Sequence, residues 1–403
     1  MAFLPVNFFC CGSITVAAML ESPPLCILDS NQLTESKKRI GNNDSTLRSA
    51  VARLERDANH SLTHEPFAVT HKELAPPSSD KHDYMSIAPY WWPNPATTNG
   101  LPYVRRDGEI NPERDQTSDH KRLDNLVQSV KSLALAYFLT GREEYAAHGA
   151  KLLRAWFLDD ATKMNPNLRY AQAVPGRNQG RGAGIIETHT LPELLDAVGL
   201  LGNSKSWNQA DQKSLQNWFS AYLSWLLESS EGKAEAKAQN NHGTWYDVQS
   251  ACFARFVGRD EIAKKIMAEF PVRRLAKQIE IDGRQPQELA RTQSWSYAIF
   301  NLEAFFAAAA IADRVGVDLW HYEATDKRAI RKALDWLVPF ATGEKKWNYP
   351  QITPFGAEKL APLLRRAALV FHQPAYEKAI SQLPKIGADE RWRLHYPTVI
   401  ESK

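Results

Sequence analysis

The chain predicts an all-α protein built from successive helical hairpins, and three observations carry that prediction. Apolar residues recur at helical spacing, helical stretches come in pairs separated by only a few residues, and alternating apolar and polar runs of the strand type are scarce. The first stretch, "STLRSAVARLERDANHSL", opens on a serine suited to capping a helix. In "HKRLDNLVQSVKSLALAYFLTG" the side chains of Leu123, Leu126, Val127, Val130, Leu133 and Phe138 fall on one stripe, and Gly141 supplies a stop. "EEYAAHGAKLLRAWFLDD" follows almost at once as its partner. The couplet recurs at 185–201 with 209–229, at 242–257 with 260–270, and at 289–315 with 326–341, and a shorter pair closes the chain. The spacing is too irregular for a sequence repeat. Stacked hairpins of this kind form an open solenoid or close into a ring, and residues 27–403 read as one domain.

Residues 1–26 stand apart. The first twenty residues carry no charged side chain, and Val16-Ala17-Ala18 offers a cleavage context, so a leader and a periplasmic or secreted protein are expected. The leader lacks a basic start, and Pro5, Asn7 and Gly12 make it a poor membrane span. Cys10 and Cys11 lie inside it, which leaves the distant Cys26 and Cys252 with no metal signature and little case for a disulfide. Lys plus Arg exceeds Asp plus Glu by only 49 to 46, which argues against a nucleic-acid partner while leaving room for a local basic cleft. The sequence does not fix an oligomeric state.

Two segments interrupt the helical rhythm. Residues 64–118 are dense in Pro, Gly and aromatics and too long for a connector, and residues 165–184 set Arg177 and Arg181 among glycines. Both are placed over one mouth of the helical assembly. His60 and His64 stand four apart, as helical zinc pairs do, with His71 and His82 beyond. No glutamate follows His60 in the HExxH sense, and neither a metal nor a cofactor is expected. There is no GxSxG nucleophile motif and no phosphate-binding glycine loop. A glycosidase using paired carboxylates stays open as an alternative, because acids such as Glu113, Asp115, Glu187, Asp247 and Glu288 are scattered through the chain.

Two stretches, "AQNNHGTWYDVQ" and "PQELARTQSWSYAIFNLEAFF", bring together Asn241, His242, Arg291 and Tyr297. This set of amide, imidazole, guanidinium and phenol suits β-elimination from a uronic acid. The C5 proton of a uronate is feebly acidic because the neighbouring carboxylate is already negative, so amide and cationic donors must neutralise that group as it becomes enolate-like. A base must take the C5 proton and an acid must protonate the departing O4. Tyrosine can do both if a nearby cation lowers its pKa from about 10. A carboxylate beside the substrate's own would repel it. Against this, His242 and Tyr246 share a helical face, and an Asn pair can simply cap a helix.

The stretches "NNHGTWYD" and "ELARTQSWSY", together with "HDYMSIAPYWWPNP" and "GLPYVRRDGEINPE", resemble the alginate lyase domain family of polysaccharide lyases over residues 45–340. The pattern is similar to families 5 and 38, and closer to 38. The resemblance implies an (α/α) toroid with a substrate tunnel or cleft, Asn241 and Arg291 as neutralisers of the carboxylate, His242 as neutraliser or alternative base, and Tyr297 as base and acid. The chain departs from the family 5 pattern in reading NNHG and in placing Arg291 and Tyr297 six apart, which tells against strict mannuronate specificity. Six residues along one helix would point the two side chains about 120° apart, so Arg291 is expected to precede the helix. Tyr90, Trp91, Trp92, Arg181, His189 and Tyr246 are the expected substrate-binding residues, and an anionic polysaccharide is the expected partner. In β-D-mannuronate and β-D-glucuronate the C5 hydrogen and O4 share a ring face, so polymannuronate or polyglucuronate is favoured, with guluronate attacked weakly or not at all. The alternatives are a hydrolase on a similar ring and a noncatalytic glycan-binding protein.

Overall fold

The computed structural model describes residues 25–116, 119–384 and 386–398. Helices Asp119–Thr140, Leu191–Leu200, Asn241–Phe256 and Ser294–Arg314 contact one another in chain order and form an inner ring. Each has partners outside it. Asp119–Thr140 packs on Glu143–Phe157 and on Arg48–Ser61, and Asn241–Phe256 packs on Gln209–Glu228 and Asp260–Phe270. The molecule is thus an (α/α) toroid. Of its inner helices, Asn241–Phe256 and Ser294–Arg314 are buried on nearly every side. Leu123, Leu126, Val127, Val130 and Leu133 are fully enclosed, as their stripe predicts. Phe138 is only partly buried and lies under the Lys37 ammonium.

The ring closes where its ends meet. Asp196, on an inner helix, takes the backbone N–H groups of Cys26, Ile27 and Leu28, while Arg366 and Arg314 donate to the carbonyls of Ile27 and Leu28. Trp392–His395 packs against both Ser30–Gly41 and Arg48–Ser61. Residues 1–24, which hold most of the expected leader, lie outside the described residues. Leu25 and Cys26, assigned to that leader, are instead buried in the core, and Cys26 and Cys252 are free thiols. Among the described residues one helix, Ser294–Arg314, is long and apolar enough to cross a membrane, but 78% of its apolar window is buried by the rest of the toroid.

Helix starts differ from the periodic reading where a side chain competes for the backbone. Ser45 caps nothing: the Asp44 carboxylate takes the Thr46 N–H and hydroxyl, turning the chain so that the helix begins only at Arg48. The stretch from 289 starts its long helix at Ser294, after a separate turn, Pro286–Leu289, and the Arg291–Thr292 pair. Residues 64–118 form two short strand pairings, Met85–Ile87 with Tyr170–Ala173 (parallel) and Trp91–Trp92 with Val104–Arg105 (antiparallel). The first pairing ties the long segment to the 165–184 loop, and the second folds the segment on itself.

Candidate active site

The inner helices and the two loops enclose a cleft of about 840 Å³. Asn241 and His242 enter it from the first turn of Asn241–Phe256. Asn240 precedes that helix without a side-chain capping bond, so the amide pair is not there to cap. The turn is braced from behind by Arg274, which donates to the carbonyls of Ala236 and Ala238 and pairs with the fully buried Asp247 at 2.7 Å. Arg274 explains Gly243 too, since a Cβ there would lie 2.3 Å from its guanidinium.

Arg291 precedes the Ser294–Arg314 helix, as expected, and lies flat on the ring of Tyr297, 3.7 Å from its centroid. Its Nε and Nη2 both donate to Asp107, whose carboxylate also takes the Thr292 N–H. Burial alone would raise the Asp107 carboxyl, but the bonds from Arg291 and Thr292 outweigh it and hold it at about 2. The close turn that delivers Asp107 needs Gly108, which has φ +77° and whose Cβ would meet the Thr292 hydroxyl at 2.4 Å. The Tyr297 hydroxyl shares a 2.6 Å hydrogen bond with that of Tyr90.

The environment of Tyr297 corrects the expectation of a lowered pKa. Burial pushes the phenol well above its ordinary range, Tyr90 adds to the rise, and the downward pull of Arg291 does not offset them. A second correction concerns carboxylates, which stand close behind the amide and the imidazole after all. Asn241 donates both its backbone N–H and its Nδ2–H to Glu288, each at 2.7 Å, and His242 Nδ1 lies 2.6 Å from Glu235. Both acids are buried. Burial raises the Glu288 carboxyl, while the bonds from Asn241 work the other way.

The expected binding residues divide. Tyr90, Trp91, Arg181 and His189 line the cleft. Arg181 donates to Gln172, lies 6.0 Å from the centroid of the Trp91 ring, and has a buried Nε with no partner. His189 donates Nδ1–H to the Ile186 carbonyl and packs edge-on to Trp245 and Phe300. Trp92 is not in the cleft: its indole N–H donates to the Glu109 carbonyl and Arg106 covers its ring, so it fastens the long loop. Tyr246 is not in the cleft either. It is a core residue whose hydroxyl donates to the Leu226 carbonyl, because the face it shares with His242 turns inward one helical turn later.

Sequence reading missed Arg105, Arg114 and Lys359, which with Arg181 and Arg291 give the cleft a cationic lining. It also missed Glu303 on the cleft floor. That carboxyl faces cavity space yet is surrounded by protein, and burial raises it to about 7, helped by Glu193 and opposed by Lys359 and Lys131. A separate cavity of about 650 Å³ beside Trp207 and Asn208 holds none of these groups. Among the described residues no cluster of His, Cys, Asp and Glu could hold a metal ion.

Residues 68–347 match the family model for alginate lyase. The chain belongs to the alginate lyase family. An alginate lyase from Bacteroides ovatus, solved at 1.60 Å, is 38% identical, with a TM-score of 0.89 over 93% of this chain and 99% of that one. Two variants of alginate lyase A1-III, each complexed with tetrasaccharide, share the fold at 15% identity, with TM-scores of 0.61 and 0.60 over 95% of this chain and 98% of theirs. No curated protein matches the chain. Family membership accounts for the toroid and for motifs scattered over more than 200 residues converging on one alginate-lyase cleft.

Proposed function

We propose that this member of the alginate lyase family cleaves a polyuronate, alginate or a close relative, by β-elimination at C4–O4. The observation that carries the reading is Arg291 lying on the ring of Tyr297 inside a cationic cleft that also holds Asn241 and His242. A uronate carboxylate in this cleft meets guanidinium and amide donors, which offset the charge that builds on it as C5 is deprotonated. One basic side chain, Arg181, is left with a buried, unpartnered Nε–H and suits a further carboxylate along the chain.

For mannuronate or glucuronate, one group on the shared face of the ring suffices. Tyr297 as phenolate takes the C5 proton, the C5–H electrons become the C4–C5 double bond, and the proton passes to O4 as the C4–O4 bond breaks. Tyr297 carries its proton in the resting site, so delivery to O4 is the ready half of its work. The phenolate is helped by the Arg291 charge over the ring. In guluronate C5 is inverted, and the reading assigns His242, which lines the same cleft, as the base for the opposite face. Digestion of polymannuronate, polyglucuronate and polyguluronate, followed by ultraviolet absorbance, tests the reading: a lyase creates a conjugated C4–C5 double bond, a hydrolase releases reducing ends without it, and a binding protein gives neither.

A further inference from the structure

We infer that Glu235 is a positioning residue that fixes the tautomer of His242 and thereby equips it as the base for substrates whose C5 proton lies on the face opposite Tyr297. The inference rests on the lyase reading above. It starts from a short contact: Nδ1 of His242 is 2.6 Å from Oε1 of Glu235, and the Glu235 side chain is 5% exposed against 23% for His242. A carboxylate that has no hydrogen to give requires one on Nδ1, so in the neutral imidazole it is Nε2 that keeps the lone pair. His242 is the member of the pair that lines the cleft.

The anchoring of Glu235 suits this task. It sits near the end of the seven-residue helix Ser230–Ala236, whose Gly232 N–H is capped by Ser229, and Arg274 ties down the carbonyl of the next residue, Ala236. The backbone of Gly182 rests on this helix so closely that a Cβ there would lie 2.6 Å from the Glu231 carbonyl. The backbone that carries this buried carboxylate is therefore fixed relative to the imidazole. The carboxylate holds one ring orientation, and when Nε2 accepts a proton it faces the resulting imidazolium with a negative charge.

In the step itself the Nε2 lone pair takes the C5 proton, the C5–H electrons form the C4–C5 double bond, and the C4–O4 bond breaks. O4 receives the Tyr297 hydroxyl proton, and the imidazolium and phenolate are reset by proton exchange through water. The Tyr297 route on mannuronate does not need a lone pair on His242. Glu235 is therefore expected to weigh on guluronate far more than on mannuronate.

The test is the variant Glu235→Gln, with kcat and KM measured on polymannuronate and polyguluronate blocks and with unfolding followed in parallel. The expected result is a fall in kcat on guluronate of roughly 10²- to 10⁴-fold, the scale of losing a correctly oriented general base, against a much smaller fall on mannuronate. Equal losses on the two substrates, or no loss on either, would mean that the contact is only structural and would overturn the inference. Wild-type protein that makes unsaturated products from mannuronate but none from guluronate would overturn it as well, while leaving the lyase reading intact. Absence of unsaturated products from every polyuronate would instead remove the lyase reading. If the variant does not fold, ¹⁵N spectra of wild-type His242 decide: a proton on Nδ1 with bare Nε2 supports the inference, and the reverse tautomer contradicts it.

Discussion

Tyr297 is asked to be both base and acid, and its surroundings favour the acid. Because burial raises the phenol, the phenolate fraction is small near neutrality and grows about tenfold per pH unit below the pKa, so kcat on mannuronate is predicted to climb from pH 7 to pH 9. Removing the hydroxyl with Tyr297→Phe should cost on the order of 10³-fold or more in kcat on every substrate. Tyr246→Phe removes a bond to a core carbonyl, so it should lower the unfolding midpoint and spare turnover. Glu303 works on binding instead. Its proton comes off near pH 7, which adds a negative charge to the floor of a cleft built for anions, so KM should rise above that pH, and Glu303→Gln should abolish the rise. The stability effect has the same direction: the folded state holds this proton more tightly than the unfolded one, so the carboxyl's contribution falls as pH rises from about 4.5 to 7. That Asn241, His242, Arg291 and Tyr297 belong together was legible because two short motifs carry them, and all four line the cleft. Their supports were not legible. Glu288 reaches Asn241 across 47 positions and Asp107 reaches Arg291 across 184, and no local pattern encodes such contacts.

At the scale of elements, the 64–118 segment acts as a clasp. It supplies Tyr90 and Trp91 to the cleft, while Trp92 and Asp107 fasten it to itself and to the Arg291 turn. The neighbouring tryptophans should therefore separate experimentally. Trp91→Ala is expected to weaken oligosaccharide affinity with a small change in melting temperature, and Trp92→Ala to do the reverse. The helices themselves could be read from periodicity because each buries a stripe against its neighbours. Their boundaries failed where polar side chains outbid the helix for backbone groups, as Asp44 does before Arg48 and as Asp107 does at Thr292.

For the whole molecule, the sequence showed hairpins but not whether the ring closes, since closure depends on Asp196 gathering the backbone of residues 26–28 and on Trp392–His395 meeting the first helices. The same long-range logic braces the active-site turn through the buried Arg274–Asp247 pair. Arg274→Met leaves Asp247 buried with less compensation and should lower stability by about 3–5 kcal/mol in denaturant unfolding, with activity falling as the Ala236–Asn241 turn loosens. Elimination through Tyr297 is the step by which we propose that this toroid breaks polyuronates. It is tested most directly by following ultraviolet absorbance while wild type and Tyr297→Phe act on polymannuronate. The predicted result is a rising absorbance from C4–C5 unsaturated ends with the wild type and essentially none with a folded Tyr297→Phe. Reducing ends released without that absorbance, or near-normal absorbance from the variant, would contradict it.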